Sequence, residues 1–169
     1  NLKSEKGWNK EITWRGKYAF FDWDLTAYQF DLDETIVIRR AADGSDYFVN
    51  AGKTTQQGIE MTYTVQLGQH LSLRNSESIQ NFRFGDYVSG TKNYAGNRLT
   101  GTSPYQHASL LQWQIHPRLL WNSQFLFTDF LYLNDANTAV LPSSRVWNSK
   151  ISYQRKHWEL WLTVENMTN

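Results

Sequence analysis

The sequence predicts an all-β protein, an antiparallel up-and-down meander of about eight strands that belongs to a transmembrane β-barrel. Three observations predict it. Apolar and polar side chains alternate with a period of two along much of the chain. The connections between these stretches run short, long, short, long to the end. Aromatic residues reach 15 % of the 169 residues, with 8 Trp and 9 Tyr, and they gather near strand ends. Soluble sheets rarely keep strict loop parity. A membrane barrel must keep it, because every second connection faces the same side of the bilayer, tight turns inside and long loops outside.

Each strand follows from its own pattern. The first is expected over residues 8–15, turning at Gly16 and Lys17. The second is expected over residues 21–38, with Trp23, Leu25 and Ala27 on one phase and Tyr28, Phe30 and Leu32 on the other. That phase change predicts a bulge near Ala27 and Tyr28. A polar connection over residues 39–46 contains the turn pair Asp43-Gly44. The third strand, residues 58–67, sets Ile59, Met61, Tyr63, Val65 and Leu67 against Gly58, Glu60, Thr62, Thr64 and Gln66. A turn at Gly68 and Gln69 leads to the fourth, residues 71–84, whose phase breaks again between Ile79 and Phe82. A second long loop covers residues 85–104, a length that is usually functional where it lacks regular structure.

The fifth strand covers residues 105–115 and ends at His116-Pro117-Arg118; the sixth covers residues 120–130. A third long loop, residues 132–144, precedes strands over residues 146–153 and 158–165, which are joined at Gln154-Arg155-Lys156. The aromatics then divide by height. Phe21, Trp23, Trp113, Trp121, Tyr153 and Trp158 lie near short turns, and Trp8, Tyr47, Tyr105, Phe130, Tyr132 and Trp147 near long loops. Two such belts are what two membrane interfaces select. Opposite the apolar phase stand Glu60, Thr62, Thr64, Gln66, Gln112, Gln114, Asn122, Gln124, Lys150 and Ser152. They suit an aqueous or plugged lumen, and equally the wet face of a soluble sheet.

Composition excludes several classes. No apolar run approaches the roughly 18 to 20 residues of a membrane helix, and a mean hydropathy of -0.60 is compatible with barrel strands, in which only alternate residues are apolar. A net charge of +1 leaves no electrostatic footprint for nucleic acid. With no Cys, disulfides and thiol nucleophiles are excluded together. His70, His107, His116 and His157 lack metal-ligand spacing, and Asn134-Asp135-Ala136-Asn137 lacks calcium-loop spacing. Asp22, Asp24, Asp31, Asp33 and Glu34 suit a lumenal face better than a glycosidase pair. The glycines of residues 85–101 lack the lysine of a phosphate loop. No catalytic constellation, cofactor or metal site is expected.

With the barrel in place, several segments resemble the C-terminal half of TonB-dependent outer-membrane receptors of the ferric-siderophore type. They are residues 1–12 (Asn-Leu-Lys-Ser-Glu-Lys-Gly-Trp-Asn-Lys-Glu-Ile), 49–60 (Val-Asn-Ala-Gly-Lys-Thr-Thr-Gln-Gln-Gly-Ile-Glu), 94–104 (Tyr-Ala-Gly-Asn-Arg-Leu-Thr-Gly-Thr-Ser-Pro), 132–138 (Tyr-Leu-Asn-Asp-Ala-Asn-Thr) and 158–169, and they follow the family's order. Ser4 and Thr100 stand where the family usually has proline, and Met167 where it usually has leucine.

The resemblance implies that residues 1–169 are a partial receptor barrel, a C-terminal segment of a large transmembrane β-barrel, with the plug, the first barrel half and the closing strand absent from this sequence. It also implies a bacterial outer-membrane location, contact with outer-membrane lipid, a ferric siderophore or similar metal chelate as ligand, and import driven by the TonB energy-coupling complex through the missing N-terminal part. Chelates of this kind are often anionic and flat, so cations and aromatic faces on the outer loops are the expected contacts. Those are Arg39 and Arg40 in the first long loop and Tyr87, Lys92, Tyr94 and Arg98 in the second. Arg98 also stands in a segment that opens a strand in the family, where its role is structural. The alternative is a soluble aromatic-rich β-sandwich that binds carbohydrate, with Trp113, Trp121 and Trp158 buried between two sheets.

Overall fold

Backbone hydrogen bonds join eight long strands into one antiparallel sheet in which every neighbour in space is the next long strand in sequence. The computed structural model describes residues 2–41 and 43–168, and at Arg39 and Arg40 it describes the backbone alone. The long strands are β1 (Lys6–Tyr18), β2 (Phe21–Asp33), β5 (Lys53–Gln66), β6 (Leu71–Asp86), β9 (Tyr105–His116), β10 (Leu119–Thr128), β13 (Ser144–Gln154) and β14 (Glu159–Val164). Each long connection carries a small hairpin: β3 (Ile36–Arg40) with β4 (Asp46–Asn50), β7 (Val88–Ser89) with β8 (Lys92–Asn93), and β11 (Leu131–Tyr132) with β12 (Val140–Leu141). The meander and its loop parity are as expected. The soluble sandwich is not: no second sheet covers either face among the described residues, and Trp113 and Trp158 are 42 % and 55 % exposed.

Register sorts the side chains onto two faces, since residues alternate along a strand and direct partners share a face. Trp14, Leu25 and Met61 lie in one row, and Trp23 and Tyr63 in the next. Trp113 with Trp121, and Ile151 with Leu162, continue this apolar face across the sheet. Glu60, Thr62, Gln112, Asn122 and Lys150 fall on the other. There Thr13 bonds Thr26 at 2.9 Å, and Gln112 donates to Asn122 at 3.1 Å. Arg15 pairs with Asp24, and Lys17 with Asp22.

The phase change in β2 has a different origin from the expected bulge. Pairing runs unbroken through Ala27 and Tyr28 on both sides of the strand, so residue parity never shifts. Instead the apolar face stops at a common level. Ile12, Ala27, Ile59 and Ile79 form one continuous row, and the next row on that face toward the long connections is Lys10, Gln29, Gln57 and Asn81. On β13 the change falls between Trp147 and Arg145. About nine residues separate this boundary from the short turns, which at about 3.3 Å per residue and a tilt near 40° is about 23 Å, close to the height of about 25 Å of a barrel's apolar band. The phase break in β6 has the same cause. Above it, Phe82 and Phe84 serve the loops.

The first turn also differs. β1 continues to Tyr18, and the chain reverses at Ala19 and Phe20, with Ala19 at φ 49°. Gly16 lies within the strand opposite Trp23, whose indole occupies the space above it: a Cβ at Gly16 would meet Trp23 Cζ2 at 2.3 Å. The glycine signal therefore marks a close approach, not a turn. Trp23 also packs against Trp14 at 5.3 Å and Phe21 at 5.4 Å between ring centroids. With Trp113–Trp121 and Tyr153–Trp158, these form the expected aromatic belt at the short-turn end. At the other end Tyr105 and Trp147 lie at the boundary, whereas Tyr47, Phe130 and Tyr132 belong to the loops.

Several polar groups that interrupt the apolar face are bonded to one another, although the Trp23 indole N–H and His107 Nδ1 are buried without a hydrogen bond among the described residues. The Ser109 hydroxyl donates to Asn75 Oδ1 and meets His107 Nε2, and His107 Nδ1 lies 3.6 Å from Glu77. Ser149 and Ser123 accept the indole N–H groups of Trp121 and Trp147, each at 2.8 Å. Lateral satisfaction of this kind lowers the cost of polar atoms in an apolar setting.

Candidate functional site

The three long connections stand at one end of the sheet and are fastened to it and to each other. The first leaves β2 at Glu34, which takes a φ of 57°. Two backbone bonds then cross the base of the β3–β4 hairpin: Thr35 donates to Gly52 at 3.0 Å and Ala51 donates to Thr35 at 2.6 Å. The hydroxyls of Thr35 and Thr54 meet at 2.9 Å beneath it. Gly52, at φ 67°, passes so close to β6 that a Cβ would stand 1.8 Å from the Asp86 carbonyl oxygen.

That close approach builds a small apolar core. Ala51, Phe84 and Tyr87 are buried, with Val37, Tyr94 and Leu99 packed around them. Phe84 lies 4.7 Å from Tyr87 and Tyr87 5.4 Å from Tyr94, ring centroid to centroid. The second connection, expected to lack regular structure, folds back along β6 instead. Gly96 donates to Phe84, Phe84 to Asn97 and Leu99 to Phe82.

Asparagine side chains complete the assembly. Asn137 Oδ1 accepts the Arg98 backbone N–H at 2.8 Å, and its Nδ2 donates to the Arg98 carbonyl at 3.0 Å. Asn97 donates to the Asp135 carbonyl at 2.7 Å, Thr100 donates to the Asp135 carboxylate at 2.5 Å, and Gly101 donates to Tyr132. The third connection is thereby clasped to the second. Asn50 repeats the device with the N-terminal segment: it accepts the Lys3 N–H at 2.9 Å and donates to the Lys3 carbonyl at 3.1 Å. Glu5 then accepts from Ile36 N–H at 2.6 Å.

The expected contact residues separate within this assembly. The Arg39 and Arg40 backbones pair with Tyr47 and Asp46 in the first hairpin, and their side chains lie outside the described residues. Lys92 is exposed on β8 and Tyr94 is half-buried. Tyr87 is 3 % exposed, so its ring packs the loop core and does not present a surface. The backbone of Arg98 is held by Asn137 and bridges Arg83, while its guanidinium reaches the Gln80 carbonyl at 3.4 Å. Asn50, Asn97 and Asn137, which organise the loops, were visible in the sequence as members of the motif segments at residues 49–60, 94–104 and 132–138, and Asn137 also as part of a polar loop tip without calcium-loop spacing.

A one-layer antiparallel sheet with an apolar outer band, a polar inner face and elaborated loops at one end is a segment of an outer-membrane β-barrel. A family model described as TonB dependent receptor-like, beta-barrel matches residues 1–167, and the chain belongs to that family, one of outer-membrane transport receptors and not of enzymes. The apolar face accordingly meets lipid, and the polar face lines the lumen. No curated protein matches the chain. Solved structures do. The ferric yersiniabactin uptake receptor FyuA of Yersinia pestis is 17 % identical with a TM-score of 0.79, over 96 % of this chain and 25 % of that one. The siderophore receptor PiuA of Acinetobacter baumannii is 16 % identical with a TM-score of 0.77, over 96 % and 24 %. The ferric enterobactin receptor PfeA of Pseudomonas aeruginosa is 20 % identical with a TM-score of 0.75, over 99 % and 26 %. The chain thus spans about a quarter of the length of these receptors.

Proposed function

We propose that the protein binds a ferric siderophore or a similar anionic metal chelate on its outer loops and imports it with energy passed through TonB. The observation that carries this reading is the clasped loop assembly. Three outer connections are bound to one another by the Asn97, Thr100 and Asn137 contacts and by the Ala51–Phe84–Tyr87 core, so the loop faces are preorganised, which lowers the ordering cost of binding. In this reading Arg39, Arg40 and Lys92 supply charge and Tyr94 an aromatic face, while Tyr87 and Arg98 position the loops that carry them.

Residues 1–169 form part of the barrel domain, and the plug, the first barrel half, the closing strand and the segment that engages TonB are supplied by other parts of the whole receptor. The test is equilibrium binding of ferric chelates, catecholate and mixed-ligand types included, to the intact receptor. Arg39→Ala and Tyr94→Ala are each expected to weaken binding about tenfold, the size of one charge-assisted or aromatic contact. Unchanged affinity in both variants would remove these loops from the ligand site.

A further inference from the structure

We propose that Arg145, with the aromatic wall beside it, binds the phosphate of a lipid headgroup in the outer leaflet. The site lies on the lipid face, so it is independent of the cargo bound on the loops. Arg145 pairs with Phe127 across β10 and β13, and its guanidinium carbon stands 5.7 Å from the centre of the Phe127 ring. The wall continues through Tyr105, 5.8 Å from Phe127, and His107, 6.2 Å from Phe125. Trp147, the next residue on this face toward the short turns, is held by its bond to Ser123.

Position and charge together define the occupant. Arg145 is the first polar residue of β13 beyond the apolar band, about as far along its strand from the short turn as Lys10 is on β1, where the band ends. A cation on a lipid-facing surface is costly within the band and favoured at its edge, where headgroup phosphates lie. Among the described residues no carboxylate forms an ion pair with Arg145. Glu77, which borders the wall, is engaged with His107, and Asp129 accepts from the Phe130 N–H. Stacking on Phe127 leaves the edge of the guanidinium open, and that edge can take two phosphate oxygens in parallel hydrogen bonds. The apolar face below continues directly into the acyl region, so one lipid satisfies both parts of the surface.

The intact receptor in neutral detergent would be titrated with lipid A and with its dephosphorylated form, and bound lipid counted by native mass spectrometry. Arg145→Gln is expected to weaken retention of the phosphorylated lipid about fivefold, with the charge-keeping R145K restoring most of it. Lys156→Gln, at the opposite end of the barrel, should leave retention unchanged. Equal retention by Arg145→Gln and the unchanged protein, equal retention of the dephosphorylated lipid, R145K no better than R145Q, or displacement of the lipid by inorganic phosphate would each overturn the assignment. Arg145 is exposed, and unchanged unfolding of both variants in detergent would separate lost binding from lost folding.

Discussion

The side-chain amide of Asn137 satisfies both backbone groups of Arg98, taking its N–H at 2.8 Å and giving to its carbonyl at 3.0 Å. A primary amide has the donor and acceptor of a peptide group, so Asn137 acts as one extra residue of strand beside the second loop. Asn50 does the same for Lys3. Both clasps join segments distant in sequence, at the end of the barrel where ladder pairing has run out.

Asn137→Ala is therefore expected to leave two backbone groups of Arg98 without partners, and to lose the φ 54° conformation that asparagine tolerates better than alanine. Release of a buried donor costs about 1 to 3 kcal/mol. The loss should be local. Hydrogen exchange at the Arg98 amide should accelerate by at least about tenfold, while amides in β13 and β14 keep their protection. Unchanged exchange at Arg98 would mean that the clasp carries no energy.

Gly52→Ala tests the root of the first loop. The left-handed φ alone disfavours a side chain, and the Asp86 carbonyl stands where the methyl would go. The hairpin would have to lift from β6, uncovering Ala51 and Phe84. A loss of more than about 2 kcal/mol is expected, read as new proteolytic cleavage between β3 and β6 in the intact receptor. Gly44→Ala, where no atom lies within 4 Å of the added carbon, should cost only the backbone strain of its own turn. Equal sensitivity of the two would refute the packing argument.

Gly16 and Trp23 make a coupled pair. Gly16→Ala should force the Trp23 ring off its seat at a cost of about 1 to 3 kcal/mol, and Trp23→Leu should remove aromatic packing with Trp14 and Phe21. With the ring gone, however, the methyl at residue 16 has room. The double variant is expected to be less destabilised than the sum of the singles by about 1 kcal/mol or more. Additive losses in chemical unfolding would show that the ring does not depend on the glycine.

These cases show which parts of the fold were legible in the sequence. Alternation is a property of each strand alone, so residues such as Ile59, Met61 and Tyr63 declared their shared face. The level at which Ala27 gives way to Gln29 is a property of the whole sheet against the bilayer, and from one strand it looked like a bulge. Gly16 carried a turn signal because glycine serves turns and close approaches alike. The Asn137–Arg98 clasp spans 39 positions with no local periodicity to reveal it. Tyr87 was legible as a loop aromatic, yet nothing local told its buried ring from the half-exposed ring of Tyr94.

At the tip of the first loop, Asp43 accepts the Ser45 hydroxyl at 2.7 Å and the Ser45 N–H at 2.9 Å. These bonds hold its carboxyl below the usual carboxylate range, the side-chain bond contributing most. The folded value is depressed relative to the unfolded one, so the stabilising contribution is present above the unfolded value near pH 4 and is lost as pH falls through the folded value. An NMR titration of the Asp43 carboxyl should place its midpoint below that of a free aspartate. Ser45→Ala should move the midpoint upward, and no movement would exclude the Ser45 bonds as the cause.

The assignment of faces makes the sharpest prediction, because adjacent residues should respond oppositely. Met61 lies within the apolar band between Leu25 and Glu77, and Thr62 beside it faces the lumen between Asp24 and Ser76. An arginine on the lipid face near the midplane costs about 2 to 4 kcal/mol, whereas lumenal substitutions act mainly on selectivity. Met61→Arg should therefore lower the unfolding free energy of the intact barrel in phospholipid vesicles by that amount. Thr62→Arg should change it by less than about 1 kcal/mol, since the one side-chain hydrogen bond of Thr62 among the described residues is 3.4 Å long and Asp24 offers a counter-charge. A larger loss for Thr62→Arg than for Met61→Arg would reverse the two faces, and with them the lipid-facing position of Arg145.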